Sequence, residues 1–175
     1  MNILLHICCA NCAIYPLAML REQEHQVTGF FYNHNIHPFQ EYRKRLETTR
    51  DYAQRMDLPL LLHEEYLLDE FLAAVAVQPE NRCHYCYRSR LRQTAKQAQL
   101  MGAQAFTTTL LYSRYQKHDA IVAYGQQLAD EFQLDFYYED YRSGWNEGIR
   151  ISKQLGFYRQ QYCGCIYSER DRYAG

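Results

Sequence analysis

Residues 2–20 of the chain read NILLHICCANCAIYPLAML, and this stretch decides the fold. Residues 2–7 form a short apolar run, which predicts a strand, and residues 13–25 carry apolar side chains at helical spacing, which predicts a helix. The segment between them holds three cysteines and predicts a loop. A strand, a loop and a helix in this order are typical of the first unit of an α/β fold.

The rest of the chain repeats this alternation. We predict further strands at residues 26–32, 60–63, 103–109 and 134–138, and helices at 42–56, 65–77, 87–101, 120–132 and 145–155. Residues 1–175 therefore predict one domain, an α/β fold with a mainly parallel sheet flanked by helices. In such folds the ligand lies at the carboxyl ends of the strands, and we expect the cysteine tail at residues 163–165 to close a metal site there.

Composition narrows the function classes. The chain has 19 Lys and Arg against 20 Asp and Glu, so a strongly basic nucleic-acid-binding protein is excluded, although a local basic patch is not. No apolar run reaches the roughly 18 residues of a membrane span, and no basic segment precedes the apolar N-terminus. We expect a cytoplasmic protein without a membrane partner. Phosphate-loop, dinucleotide-binding and His-Glu-x-x-His motifs are absent.

Seven cysteines are the strongest chemical signal. They form three groups at positions 8, 9 and 12, positions 83 and 86, and positions 163 and 165. An odd number in a reducing compartment argues against a disulfide framework. A zinc site takes four ligands, and a 4Fe-4S cluster takes four thiolates or three, so seven suit a cluster with a second, mononuclear metal. A zinc-stapled nucleic-acid-binding module and a thiol-disulfide oxidoreductase remain alternatives.

Five segments in order carry a family resemblance: LLHICCANC (4–12), FFYNHNIHPFQEYRKR (30–45), RCHYCYRSRL (82–91), FTTTLLYSRYQ (106–116) and GFYRQQYCGCIYS (156–168). Together they resemble the QueH-type epoxyqueuosine reductases over about residues 3–168. Asn11, His34 and Arg114 stand where this family is expected to have proline. These departures concern loop geometry more than ligand chemistry.

The resemblance implies a reaction and its cofactors. The reaction is the last step of queuosine synthesis, reductive removal of the epoxide oxygen from epoxyqueuosine at the wobble position of a tRNA. The implied fold is similar to the adenine nucleotide α-hydrolase-like (HUP) proteins, and the implied cofactors are a 4Fe-4S cluster and an adjacent mononuclear iron. The implied cluster ligands come from Cys8, Cys9, Cys83, Cys86, Cys163 and Cys165, and those of the second iron from Cys9, Cys12 and Cys165.

The reaction also needs protons, electrons and a tRNA surface. We expect the proton donor to be Asp140, His37 or Tyr115, among which the sequence does not choose. The partners are the anticodon loop of a tRNA that carries epoxyqueuosine and an electron donor that the sequence does not identify. Candidates for the basic rim that binds this RNA are Arg43, Arg45, Arg88, Arg90 and Arg142.

Overall fold

A single parallel sheet organises the protein. The computed structural model describes residues 1–175. Its strands are β1 (Asn2–His6), β2 (Gln26–Phe31), β3 (Leu60–Leu62), β4 (Ala105–Thr108) and β5 (Asp135–Phe136). They lie in the order β3-β2-β1-β4-β5, and all four pairings are parallel.

The central strand β1 determines where a ligand can bind. Ile3, Leu4 and Leu5 are at most 1% exposed, because helices cover both faces of the sheet. The chain builds β2 and β3 on one side of β1 and then returns to build β4 and β5 on the other side. The carboxyl end of β1 is therefore the topological switch point, and Cys8 and Cys9 follow it directly.

Helices flank both faces of the sheet. They are α1 (Ala10–Glu22), α2 (Phe39–Arg55), α3 (Leu68–Val75), α4 (Arg82–Leu100), α5 (His118–Phe132), α6 (Trp145–Leu155) and α7 (Ile166–Tyr173). One core joins Leu4 to α4 and α5, and a second core joins Ile3 and Leu5 to α1 and α2. This arrangement confirms the predicted fold class. None of these helices combines the length and the apolar character that crossing a bilayer requires.

The structure corrects the predicted bounds at the cysteines. Helix α1 begins at Ala10, so Cys12 lies on the helix and not in the loop. Helix α4 begins at Arg82, so Cys83 and Cys86 lie in its first two turns. Asn11 also lies on α1, and its side-chain nitrogen donates to the Tyr158 carbonyl, which links this helix to the C-terminal segment. Helix α7 was not predicted, since none of its residues is buried to give an apolar pattern.

Candidate metal centre

The three N-terminal thiols form a compact group. Cys8 and Cys9 lie between β1 and α1, and Cys12 lies in the first turn of α1. Their sulfur atoms all lie within 4.8 Å of one another, and those of Cys8 and Cys9 are 4.0 Å apart. Two thiolates on one tetrahedral ion, with metal–sulfur bonds of about 2.3 Å, lie about 3.8 Å apart. The spacing fits a single metal ion, and a set of three sulfur donors favours zinc or iron.

Neutral side chains from other elements orient these thiols. The Thr109 hydroxyl, directly after β4, donates to Cys8 Sγ at 3.2 Å and accepts the Cys8 backbone N–H at 3.0 Å. Gln160, in the segment after α6, donates its side-chain N–H to Cys9 Sγ at 3.0 Å. Residues after β1, after β4 and in the C-terminal segment therefore meet at one place. Thr109 and Gln160 were not foreseen, because a single neutral polar residue gives no spacing signal.

Protons are shared unequally within this thiol group. Hydrogen bonds from Cys12 and Cys9 hold the pKa of Cys8 well below its usual range, although burial opposes the shift. Hydrogen bonding to Cys8, and then to Cys9, raises the pKa of Cys12 well above its usual range. At Cys9 the hydrogen bond with Cys12 lowers the pKa, but Cys8 and burial together outweigh it and raise the pKa to about 12. The group thus favours one thiolate, on Cys8, and metal binding would release the remaining protons.

Two more thiols lie at the start of α4. Cys86 is buried and Cys83 is half-buried. Burial is the main cause that raises the pKa of Cys86 to about 12; the Arg90 guanidinium opposes this shift, and the neighbouring thiols Cys163, Cys165 and Cys83 add to it. Burial, and then the neighbouring Cys163 thiol, also raise the pKa of Cys83. These four sulfur atoms are near enough to influence one another but are less crowded than the N-terminal group, which alone brings three donor atoms within 4.8 Å.

Arg45 of α2 fixes the segment that carries Cys163 and Cys165. Its guanidinium donates to the carbonyl oxygens of Cys163 at 2.7 Å and Tyr162 at 2.9 Å, and to Glu41 Oε1 at 2.8 Å. The Arg45 side chain is only 3% exposed. Because Glu41 also accepts the Tyr158 hydroxyl, the buried ion pair holds the segment at two points.

His37 holds the same segment from the other side. Its backbone N–H donates to the Gly164 carbonyl at 2.8 Å, and its ring Nδ1 accepts the Ile166 N–H at 3.2 Å. Its Nε2–H donates to the His34 carbonyl at 2.9 Å, and burial lowers its pKa to about 4. Both ring nitrogens are engaged in a neutral imidazole. This removes His37 from the candidate proton donors.

The other two proton-donor candidates differ sharply. Hydrogen bonds from Arg142 are the main cause that lowers the pKa of Asp140 to about 2, so Asp140 is a carboxylate near neutral pH and has no proton to give. Tyr115 is 84% exposed. It precedes Gln116, whose side-chain N–H donates to Cys163 Sγ at 3.4 Å. Of the three candidates, only Tyr115 has a side chain that is neither held by internal hydrogen bonds nor paired with an ion.

The five candidate RNA-binding arginines divide into two sets. Arg43, Arg88 and Arg142 reach the surface, although Arg43 pairs with Glu47 and Arg142 with Asp140. Arg45 and Arg90 are buried, and their hydrogen bonds are internal, so they do not belong to an RNA-facing rim. Both arginines point inward because they occupy the core-facing side of α2 and α4, which a cluster of basic residues in the sequence does not reveal.

Comparisons with known proteins agree on one family. A family model described as "Epoxyqueuosine reductase QueH" matches residues 3–171. The chain is 39% identical to a protein of that name from Dehalococcoides mccartyi, over 98% of this chain and 94% of the relative. It is 34% identical to one from Thermotoga maritima, over 98% of this chain and 92% of the relative. It is also 34% identical to one from Acinetobacter baylyi, over 97% and 81% respectively.

Proposed function

The chain belongs to the epoxyqueuosine reductase QueH family, and from this we infer that it reduces epoxyqueuosine to queuosine in tRNA, the last step of queuosine biosynthesis. In the balanced reaction both C–O bonds of the epoxide break and a carbon–carbon double bond forms. Two electrons and two protons are consumed, and the oxygen leaves as water. The observation that carries this function is a buried group of thiols at the switch point of a family member's sheet.

The donor set supports an iron-sulfur centre. Thiols from β1 and α1, from α4 and from the C-terminal segment converge, and the buried guanidinium groups of Arg45 and Arg90 lie beside them. Buried cations stabilise the negative charge of a metal centre that is bound by thiolates. We propose a 4Fe-4S cluster and a mononuclear iron; when bound, these supply single electrons and a Lewis acid for the epoxide oxygen.

The elements that carry the cysteines guide the division of the ligands between the cluster and the second iron. Cys83 and Cys86 lie on α4, which packs directly against β1, so we assign these two thiols to the cluster. Cys8, Cys9, Cys163 and Cys165 remain candidates for its other ligands. Cys12 belongs to the compact group of single-ion spacing and is assigned to the second iron, for which Cys9 and Cys165 remain candidate ligands. Cys163 and Cys165 lie on the segment held by Arg45 and His37, which closes the site in this proposal.

Tyr115 is the proposed proton donor. Its hydroxyl is free, and its position next to Gln116 brings it to the edge of the thiol site. Tyr115→Phe removes the proton and keeps the ring, so it should lower kcat with little change in KM. Tyr115→Ala also removes the ring, so it should raise KM as well. An unchanged kcat in Tyr115→Phe would exclude this role.

The surface around Tyr115 supports tRNA binding. The Tyr115 and Trp145 rings meet edge to face at 5.6 Å, and the Arg114 guanidinium lies 5.8 Å over the Trp145 ring. The exposed Tyr115 ring and the half-buried Trp145 ring can stack on bases of an open anticodon loop, while Arg43, Arg88 and Arg142 can contact phosphates. We propose this face for the tRNA and a cytoplasmic location for the reaction. An electron donor of unidentified class must also reach the centre.

The direct test is turnover. The anaerobically reconstituted protein, with dithionite as the electron source, should convert epoxyqueuosine in tRNA to queuosine, as seen by mass spectrometry of the digested nucleosides. Cys86→Ser should abolish the conversion. An iron-loaded wild-type protein that leaves the epoxide unchanged would overturn the proposed function.

The ligand assignment has its own test. Cys12→Ser should retain the sulfide and lose about one iron per chain, whereas Cys83→Ser should lose both the sulfide and most of the iron. Ser143, an exposed residue outside the proposed ligand set, offers a control through Ser143→Ala, which should leave the iron and sulfide contents unchanged. Loss of all sulfide from Cys12→Ser would move Cys12 into the cluster.

A further inference from the structure

Arg90 is a buried guanidinium with no carboxylate partner. It lies on α4, is 2% exposed and is among the largest fully buried side chains. Its Nε donates to the Cys86 carbonyl at 3.3 Å and its Nη1 donates to Asn33 Oδ1 at 3.4 Å. Its Nη2 is buried without any partner. The other buried guanidinium, Arg45, is paired with Glu41, which makes the position of Arg90 exceptional.

An uncompensated cation in the interior is destabilising unless a negative charge lies close by. Burial alone would lower the pKa of Arg90, but the nearby sulfur atoms of Cys86, Cys8 and Cys163 raise it. As thiolates, and above all when they bind a metal, these sulfur atoms can supply the compensating charge. His6 lies nearby but stays neutral, because burial is the main cause that lowers its pKa to about 4. The sulfur site therefore provides the compensating charge.

Asn33 fixes Arg90 relative to two of the cysteine groups. Its side-chain N–H donates to the Ile7 carbonyl at 2.9 Å, one residue before Cys8, while its oxygen accepts from Arg90. Arg90 in turn reaches the carbonyl oxygen of Cys86. This chain of hydrogen bonds ties the end of β1 to the start of α4, and the free Nη2–H groups remain available to a sulfur acceptor.

We propose that Arg90 is a positioning residue of the metal centre, a fixed counter-charge whose free N–H groups stabilise its negative charge. The inference rests on the proposed iron-sulfur centre. Because reduction adds negative charge, a nearby cation favours the reduced state and raises the midpoint potential. Arg90 would thus make the centre easier to reduce, independently of tRNA binding.

Redox titration of the reconstituted holoprotein, followed by absorbance, tests this role. Arg90→Met removes the charge and should shift the midpoint potential to a lower value. Arg90→Lys keeps the charge and should stay near the wild-type value. Lys96→Met is the matched control: it removes one charge from the exposed side of the same helix, where solvent screens it, and should leave the potential unchanged.

Each other outcome also decides the question. An unchanged potential in a loaded Arg90→Met protein overturns the proposal, and so does loss of the metal-free protein's native circular dichroism in this variant, because Arg90 would then be structural. Failure of both Arg90→Met and Arg90→Lys to hold a cluster overturns it as well, whereas failure of Arg90→Met alone supports it. If the wild-type protein holds only zinc, the proposed function fails separately; the counter-charge then predicts faster zinc loss to a chelator from Arg90→Met than from Arg90→Lys.

Discussion

Replacing Arg45 by Met should release the segment that carries Cys163 and Cys165. The change removes two hydrogen bonds from a charged guanidinium to the carbonyl oxygens of Tyr162 and Cys163. Each such bond contributes about 1.5–3 kcal/mol, so opening the segment should become easier by at least about 3 kcal/mol. This corresponds to an open population about 150 times larger.

Cys165 reports this opening, because the residue is only 8% exposed in the closed protein. The assay is alkylation of the reduced, metal-free protein, with the rate at each cysteine measured by peptide mass spectrometry. When closing is fast, the rate at Cys165 follows the open population and should rise by about two orders of magnitude in Arg45→Met. Arg43→Met is the control, since this exposed residue of the same helix pairs only with Glu47.

Arg45→Met also leaves the buried Glu41 carboxylate without its ion-pair partner. The double variant Glu41→Gln, Arg45→Met removes that charge and isolates the loss of the two carbonyl contacts. It should retain most of the increase at Cys165. A rate at Cys165 within twofold of the wild-type rate, in both variants, would refute the conclusion that Arg45 holds this segment.

Three further substitutions test other parts of the structure. Thr109→Val removes a hydrogen bond that lowers the pKa of Cys8. The pH midpoint of Cys8 alkylation should therefore rise. An unchanged midpoint would show that this hydrogen bond does not influence the Cys8 thiol. Gly144→Ala would bring a Cβ into the ring of Tyr15. Urea denaturation should therefore show a free energy of unfolding that is lower by about 1–3 kcal/mol. An unchanged urea midpoint would show that the Tyr15 ring can move aside without cost. Burial is the main cause that lowers the pKa of His34 to about 3, so its stabilising contribution is complete above pH 6.5 and falls as the pH drops towards 3. At pH 5 the loss is about 2 kcal/mol, and His34→Phe should lose less stability than the wild type between pH 7.5 and pH 5; equal losses would contradict this.

The sheet could be predicted because its signals are local. Strand β1 is apolar at successive positions since both of its faces are covered, and β4 is likewise buried at all four positions, although its last two residues are threonines. The predicted fifth strand at 134–138 is reduced to Asp135–Phe136, because an edge strand has only one neighbour to pair with. The similarity to HUP proteins stays a prediction.

The site was only partly predictable. Cysteine identity and grouping pointed to a metal, but the inward direction of Arg45 and Arg90 depends on the packing of α2 and α4. The engagement of the His37 ring nitrogen Nδ1 depends on a segment more than a hundred residues away along the chain. Such long-range contacts leave no periodic trace in the sequence.

Iron and acid-labile sulfide analysis of the anaerobically reconstituted wild-type protein tests the central claim most directly. About five irons and four sulfides per chain are expected, with the broad absorbance of an iron-sulfur cluster that bleaches on reduction. Zinc without sulfide, in a protein that is folded and fully reduced, would contradict an iron-sulfur centre at these cysteines.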